Sequence, residues 1–146
     1  MTDKDHSDET ERISFGAAVA NAQAAVAGLS DQYIGWVNAD LERLDIAVAA
    51  VTDGVEAQTL RTVYDVAHDI KGQGSTFGYQ LVTDIGQLLC RYVDEAIRRK
   101  KVDREIIDAH VAALRTVVDN RIQGQAGEIG AEILDTLRSA AAKSFA

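Results

Sequence analysis

The sequence contains no proline and only one cysteine, Cys90. Proline is the residue that most strongly breaks helices, so its absence favours long helices. A single cysteine excludes an intramolecular disulfide and gives no support to an oxidising compartment. Aromatic residues make up only 5% of the chain. Alanine, leucine, valine, isoleucine and helix-favouring charged residues dominate instead, which predicts an all-α protein.

Positive charge is also scarce. The 146 residues include 15 Lys and Arg against 23 Asp and Glu, a formal net charge of −8. This balance opposes binding to nucleic acid or to anionic lipid, since both need a basic surface. No run of 18 apolar residues occurs, and the first residues are acidic, unlike a signal peptide. We therefore expect a cytoplasmic protein with no nucleic-acid and no membrane partner.

Apolar periodicity divides the chain into helices. Residues 1–11 are rich in Asp and Glu and are expected to form an acidic flexible tail, with residues 12–146 as a single domain. An alanine-rich helix over about 12–27 has a thin seam of Ile13, Ala17, Ala20 and Ala24. Further helices are expected at about 30–51, 54–73, 78–100, 104–122 and 130–143, and Asp103 is expected to cap the helix at 104–122. The inward stripes of three of these helices include Val37, Leu41, Leu44 and Val48, then Leu81, Ile85 and Leu89, then Ile107, Leu114 and Val117. The four central helices predict an antiparallel up-down four-helix bundle over about 30–122, with an additional N-terminal and C-terminal helix.

The most informative histidine, His68, lies on the third predicted helix. At about 100° per residue, the apolar positions of this helix fall on an arc centred roughly 130–150° away from His68. These positions are Leu60, Val63, Val66, Ala67, Ile70 and Gly74. The imidazole is therefore predicted to face solvent. Lys71 shares its face one turn on, and Gly72 clears the surface beside it.

These residues resemble a known family. The pattern Ala67-His68-x-x-Lys71-Gly72, with Ile70 two residues after the histidine and Phe77-Gly78 downstream, is similar to the histidine-containing phosphotransfer (HPt) domains of bacterial phosphorelays. The motif covers about 20 residues, and the compatible helix pattern extends the resemblance over roughly 30–122. Gln73-Gly74-Ser75-Thr76 departs from the usual run of serines and alanines, although three of the four residues remain small.

The resemblance implies a phosphorelay intermediary. His68 would accept a phosphoryl group from a receiver-domain aspartate or a hybrid sensor histidine kinase and pass it to a response-regulator receiver. Lys71 would stabilise the phosphoryl oxygens, while Gly72 and Gly78 would give steric access, Gly78 by letting the following backbone come close. No kinase active site, metal or cofactor is expected on this chain. The Mg²⁺ ion is expected on the partner receiver only.

Five residues near His68 are candidates for partner binding. Tyr64, Phe77 and Tyr79 are apolar enough to form a rim for a receiver domain. Phe77 could instead cap the end of the core. Ser75 keeps bulk away from the approach path, and Asp65 either restrains the imidazole or, the favoured interpretation, solvates the face.

Two other functions stay open at this point. A close second is the phosphorylated N-terminal domain of a chemotaxis-type histidine kinase, since such domains share the bundle and the exposed histidine. The third is a helical binding module without phosphorylation. The oligomeric state is undetermined, with a monomer favoured over a dimer. His110 lies on an inward stripe and is expected to be structural, whereas Cys90 is expected to be partly exposed and inert.

Overall fold

The structure is a computed structural model that describes the backbone of residues 2–52 and 54–146 and the side chains from residue 11 onward within those ranges. Five α-helices follow one another: α1 Thr2–Ala49, α2 Ala57–Gly74, α3 Gln80–Arg99, α4 Arg104–Asp119 and α5 Gly127–Ser144. A short 3₁₀ turn, Ser75–Phe77, separates α2 from α3. The described residues include no β-strand. The all-α prediction is confirmed.

The first helix differs from its prediction. The sequence indicated two helices with a break near residue 28, but a single helix, α1, extends over Thr2–Ala49. At the predicted break the helix contains Gly28, and one glycine costs about 1 kcal/mol relative to alanine. The flanking alanine-rich turns are strong enough helix formers to continue through it.

Contacts divide the chain into two compact units, Met1–Tyr33 and Ile34–Ala146. In the first unit, the apolar side chains that the structure describes are largely exposed, including Ile13, Phe15, Val19, Val26 and Leu29. By length and composition alone, the helical stretch Glu11–Ala49 is also apolar enough to cross a membrane. The sequence analysis did not anticipate this property.

The second unit holds the core. Its contribution from α1 is the predicted stripe, in which Val37, Leu41, Leu44 and Val48 are all buried. α2 packs on α3, α3 on α4, and α5 on both α3 and α4. The predicted inward residues of α3 and α4 are also buried, among them Leu81, Ile85, Leu89, Ile107, Leu114 and Val117. Apolar periodicity therefore identified the buried side of each of these helices.

Polar contacts in this unit cap α4 and pair side chains of different helices. The Asp103 carboxylate accepts a hydrogen bond of 3.0 Å from the Glu105 N–H and caps α4, as its sequence predicted. Arg43 of α1 lies 3.7 Å from the Asp69 carboxylate of α2. Arg115 of α4 pairs with Asp45 of α1. Since these pairs are exposed, they contribute little free energy and chiefly set the register of neighbouring helices.

Candidate functional site

His68 lies on the exposed face of α2. The six buried residues of this helix are Leu60, Val63, Val66, Ala67, Ile70 and Gly74, the same set that the periodicity predicted. His68 itself is exposed. Burial of the opposite face holds the helix in place, and this leaves the imidazole accessible from solvent. The predicted outward orientation of His68 is confirmed.

The ring of Tyr64 lies beside this imidazole. Their centroids are 6.2 Å apart with an interplanar angle of 21°, and the two residues are separated by about one helical turn. The Arg61 guanidinium carbon lies 5.1 Å from the centroid of the Tyr64 ring. Tyr64 is half-buried, so its ring is held more firmly than a free surface side chain. The stack gives the imidazole a preferred ring orientation.

A polar recess opens next to this stack, between α2 and α3. Its volume is about 140 Å³, and its lining residues are Tyr64, Lys71, Gln87, Cys90, Arg91 and Asp94. Two cations, Lys71 and Arg91, meet one carboxylate there. Sequence reasoning identified Lys71 but missed Gln87, Arg91 and Asp94. The available signal was their spacing on α3, where positions 87, 91 and 94 recur every three or four residues and form a polar stripe.

A close approach of α3 fixes the backbone of α2 at Lys71. A Cβ atom built on Gly86 would lie 3.0 Å from the Cβ and 3.2 Å from the Cα of Lys71. The Thr83 hydroxyl donates a hydrogen bond of 2.9 Å to the Lys71 carbonyl and accepts one of 2.8 Å from the Ser75 N–H. Packing against α3 therefore fixes the turn of α2 that carries Lys71, one turn after His68.

The glycines around the site differ in how much space an added side chain would have. A Cβ on Gly74 would lie 2.7 Å from the Thr83 hydroxyl and 2.9 Å from the Thr83 backbone nitrogen, so no larger residue fits there. A Cβ on Gly72 would meet nothing within 4 Å. Gly72 therefore lowers helix stability although no neighbouring segment of the chain requires a glycine there. The open space beside it can accept an external molecule.

Gly78 combines open space on one side with a backbone contact on the other. A Cβ built there would also meet nothing within 4 Å, whereas its carbonyl oxygen accepts a hydrogen bond of 2.8 Å from the Gly124 N–H. Its φ of 87° places it in the left-handed region, where it ends the 3₁₀ turn and its N–H donates to the Ser75 carbonyl. Glycine is required at this position by its backbone angle. Among Gly72, Gly74, Gly78 and Gly86, an added Cβ would crowd a neighbouring segment only at Gly74 and Gly86.

The predicted partner-binding residues fall into two groups. Asp65 and Ser75 are exposed, and Tyr64 and Phe77 are half-buried, so all four have surface to offer. The Phe77 ring packs edge-to-face on Trp36, with centroids 5.7 Å apart and an angle of 74°. Trp36 itself is 49% exposed. Together these two rings form an apolar surface at the end of α2 that sequence spacing alone did not reveal.

Tyr79 was predicted to contact a partner, and this prediction is wrong. Its side chain is fully buried. The left-handed turn at Gly78 reverses the chain, so that the Tyr79 N–H donates to the Gly74 carbonyl at 2.8 Å. The residue then begins α3 with its side chain in the core. Sequence proximity to His68 was misleading because a turn lies between them.

The other two singled-out residues are also buried. Cys90 was expected to be partly exposed, but it lies in the core, and burial raises the pKa of its thiol to about 11. It is therefore protonated and unreactive at neutral pH. His110 is fully buried, as expected, and its Nδ1 lies 2.7 Å from the Ile106 carbonyl oxygen. Within the part of the chain that the structure describes, no three His, Cys, Asp or Glu side chains gather as metal ligands.

The fold is all-helical, and it holds the imidazole of His68 open to solvent near the polar recess that Lys71 and Arg91 line. These features define the class of helical domains whose functional site is a histidine on the protein surface. Comparison with protein-family models matches residues 28–141 to the Hpt domain. This match covers most of the chain and includes His68, so the chain belongs to the Hpt domain family. Searches of curated proteins and of solved structures found no match.

Membership in this family confirms the resemblance seen in the sequence. Hpt domains are histidine phosphotransfer modules of phosphorelays and have no kinase activity. Proteins of the family are generally soluble.

Proposed function

We propose that this chain is a phosphorelay intermediary in which His68 accepts a phosphoryl group and hands it on. The observation that carries the proposal is the position of His68 on the face of α2 opposite its buried residues. A donor that holds a phosphoryl group on its own aspartate must bring phosphorus within reach of the accepting nitrogen. Only a nitrogen at the protein surface can be reached in this way.

The transfer is a displacement at phosphorus. The neutral imidazole of His68 forms a bond from Nε2 to phosphorus while the bond between phosphorus and the aspartyl oxygen breaks. The electron pair of that bond leaves with the receiver's carboxylate. The attacking nitrogen carries no proton in this tautomer, so no base has to remove one. Attack by a second receiver's aspartate on phosphohistidine reverses the step.

Positive charge near His68 supports this chemistry. Lys71 lies one turn from His68, and Arg91 lines the same recess as Lys71. In the proposal, both offer N–H donors to the oxygens of the transferred group, and these charge-assisted hydrogen bonds stabilise the negative charge that is spread over those oxygens. Asp94 lines the recess as well and limits how strongly it attracts anions at rest.

The surface around the histidine supports a protein partner. Gly72 leaves open space on the exposed face, and the pair of Phe77 and Trp36 offers apolar area that a partner can bury. We propose that Tyr64, Asp65 and Ser75 border the same contact. The partners are response-regulator receiver domains, a hybrid sensor histidine kinase, or both. They supply the Mg²⁺ ion and meet this chain in the cytoplasm.

The arrangement of helices fits this role. Consecutive helices of the second unit pack on one another through short connections, which supports an antiparallel up-down bundle. In such a bundle, α2 keeps one whole face free for a partner along its length.

The proposal is tested by incubating the chain with a receiver domain phosphorylated by a small-molecule donor. We expect acid-labile label on the wild type, none on His68→Gln, and full labelling of the control His6→Gln. Label on His68→Gln equal to that on the wild type would overturn the proposal. Unimpaired signalling in cells by His68→Gln would favour the non-phosphorylated binding module.

The role of Lys71 is tested in the same assay. Loss of one charge-assisted hydrogen bond costs about 1.5–3 kcal/mol, so Lys71→Ala should slow transfer about 10- to 100-fold. The control Lys101→Ala removes an exposed lysine from the connection between α3 and α4 and should leave the rate unchanged. Equal rates for Lys71→Ala and the wild type would remove Lys71 from the mechanism.

A further inference from the structure

The N-terminal part of α1 carries an apolar pattern on the side opposite the predicted seam of Ile13 and three alanines. Its members recur at 4-3-4-3 spacing and are Phe15, Val19, Ala22, Val26 and Leu29. At about 100° per residue, this spacing keeps them in one narrow strip along the helix. All five side chains are exposed. We name them the Phe15–Leu29 stripe.

The helix around this stripe lacks charge. Arg12 and Asp31 bound 18 consecutive residues, and none of those residues is Lys, Arg, Asp or Glu. A helix that stands alone in water normally carries charged side chains over most of its circumference. Bulky apolar residues on an uncharged helix form a surface that gains stability when another molecule covers it.

The spacing of the stripe indicates what covers it. A strict 4-3 repeat is the seam of a coiled coil, in which each side chain packs between residues of a neighbouring helix. In heptad terms, Val19 and Val26 occupy position a, whereas Phe15, Ala22 and Leu29 occupy position d. Valine at both a positions, with leucine at one of the three d positions, is compatible with two parallel strands.

We propose that a second copy of this chain covers the Phe15–Leu29 stripe, so that two α1 helices form a parallel two-stranded coiled coil. Each residue of the stripe then packs against its counterpart in the other copy. This inference concerns the first unit alone and does not depend on phosphotransfer.

The neighbours of the stripe support an identical partner. In a coiled coil, charges at the flanking e and g positions select one partner and reject others. Here the flanking residues are uncharged, namely Gly16, Ala18, Gln23, Ala25 and Ser30. No like charges therefore meet when two identical chains pair over this length. The stripe and its flanks in two copies bury on the order of 1,000 Å², about the lower size of a specific interface.

A membrane is the competing occupant, since the stretch Glu11–Ala49 is long and apolar enough to span one. The charge pattern favours the protein partner. Acidic residues precede the segment, and the net charge of −8 repels anionic lipid. Asn21 and Gln23 also lie at the middle of the uncharged stretch, where lipid would leave their amides without hydrogen-bond partners.

The acidic residues before the stripe give the dimer a salt dependence. Pairing two chains in parallel brings the two copies of Glu11, which is exposed, near one another. Salt screens repulsion between such exposed charges. Dimerisation should therefore become stronger, not weaker, as the ionic strength rises.

The first experiment measures mass by sedimentation equilibrium of the full chain over a range of concentrations. We expect the wild type to reach twice the monomer mass and Phe15→Glu to stay monomeric. Ile13→Glu is the matched control, since Ile13 and Phe15 are 68% and 73% exposed but lie about 200° apart around the helix. It should dimerise like the wild type. A monomeric wild type, or equal disruption by both variants, would overturn the proposal.

The second experiment tests the parallel arrangement by oxidation. Ala22→Cys should form a disulfide-linked dimer, because residue 22 faces its own counterpart, whereas Ala24→Cys on the opposite side should not. The native Cys90 can stay, since it is buried and its thiol pKa is about 11. Equal crosslinking of the two variants would contradict the proposed pairing.

The third experiment distinguishes the membrane. Vesicles of phosphatidylcholine with and without phosphatidylglycerol are sedimented with the wild-type chain and with Phe15→Glu. We expect the protein to stay in the supernatant in every case. Wild-type protein that sediments with the vesicles, while Phe15→Glu does not, would assign the stripe to lipid and overturn the proposed dimer.

Discussion

Two helical stretches of equal length, α2 and residues 13–30 of α1, use their apolar residues in opposite ways. In α2, six of 18 residues are buried by the same chain, and the exposed face carries His68 among charged and small residues. Residues 13–30 have no charged residue, and their large apolar side chains are exposed. Both stretches are helical, so helix formation alone does not distinguish them.

The difference lies in what anchors each helix. α2 is held by its buried face, and its other face is therefore free to present a histidine without losing stability. Residues 13–30 have no such anchor among the residues of their own unit. Their helix gains a buried face only when another molecule provides one. The comparison therefore separates a surface for transient contact from a surface for stable association.

The largest expected difference in stability between the two stretches appears when one isoleucine in each is replaced by alanine. Ile70 of α2 is 1% exposed, whereas Ile13 is 68% exposed. Ile70→Ala leaves a cavity in the core and should lower the free energy of unfolding by about 2–5 kcal/mol. Ile13→Ala removes contacts mainly with water and should change it by less than about 0.5 kcal/mol.

Urea unfolding followed by circular dichroism measures both variants. Similar losses for Ile13→Ala and Ile70→Ala would mean that the first unit is packed as tightly as the second, and the comparison would fail.

A smaller difference in stability is expected when one glycine in each stretch is replaced by alanine. Gly74→Ala forces a Cβ to within 2.9 Å of the Thr83 backbone nitrogen, and should destabilise the fold by about 1–3 kcal/mol. A Cβ on Gly28 meets nothing within 4 Å. Gly28→Ala should therefore stabilise its helix by about 0.5–1 kcal/mol through higher helix propensity.

Thermal unfolding monitored by circular dichroism distinguishes these outcomes. We expect a lower midpoint for Gly74→Ala and an unchanged or higher midpoint for Gly28→Ala. A destabilising Gly28→Ala would indicate that Gly28 lies in a tight contact, in conflict with the open surface described for the first unit.

The smallest effect is a pH dependence that arises in the second unit alone. Burial lowers the pKa of His110 below its ordinary value near 6.5, and the hydrogen bond to the Ile106 carbonyl opposes this only in part. The unfolded chain therefore binds a proton at a higher pH than the folded chain does. Stability should fall as the pH drops below about 6.5 and should be constant above it with respect to this group.

Urea midpoints of the wild type and of His110→Asn between pH 8 and pH 5 test this prediction. The variant lacks a group that titrates in this range, so its stability should decrease less over the acidic half. Parallel curves for the two proteins would show that His110 does not govern the dependence.

The sequence was sufficient to predict much of the second unit. The stripes around Leu41, Ile70, Ile85 and Leu114 placed the buried side of four helices correctly, because one helix period converts spacing into direction. The exposure of His68 followed from the same rule. The Asp103 cap could also be predicted from the sequence, since a short acceptor side chain before a helix is well placed to bond a backbone N–H of the first helical turn.

Predictions that depended on contacts between distant segments failed or could not be made. Tyr79 is close to His68 in sequence, but the left-handed turn at Gly78 leads it into the core. Gln87, Arg91 and Asp94 reach the recess because Gly86 lets α3 approach Lys71. The contact between the exposed Trp36 ring and Phe77 likewise depends on how α1 packs beside the turn that follows α2.

By itself, the sequence determined the all-α fold, the inward faces of the helices and the outward direction of His68, because helix periodicity is local and depends only on nearby residues. Only the tertiary structure decided which side chains from α3 join Lys71 and that no side chain fits at Gly74. Those features depend on distances between separate helices, and such distances are set by packing of the whole core.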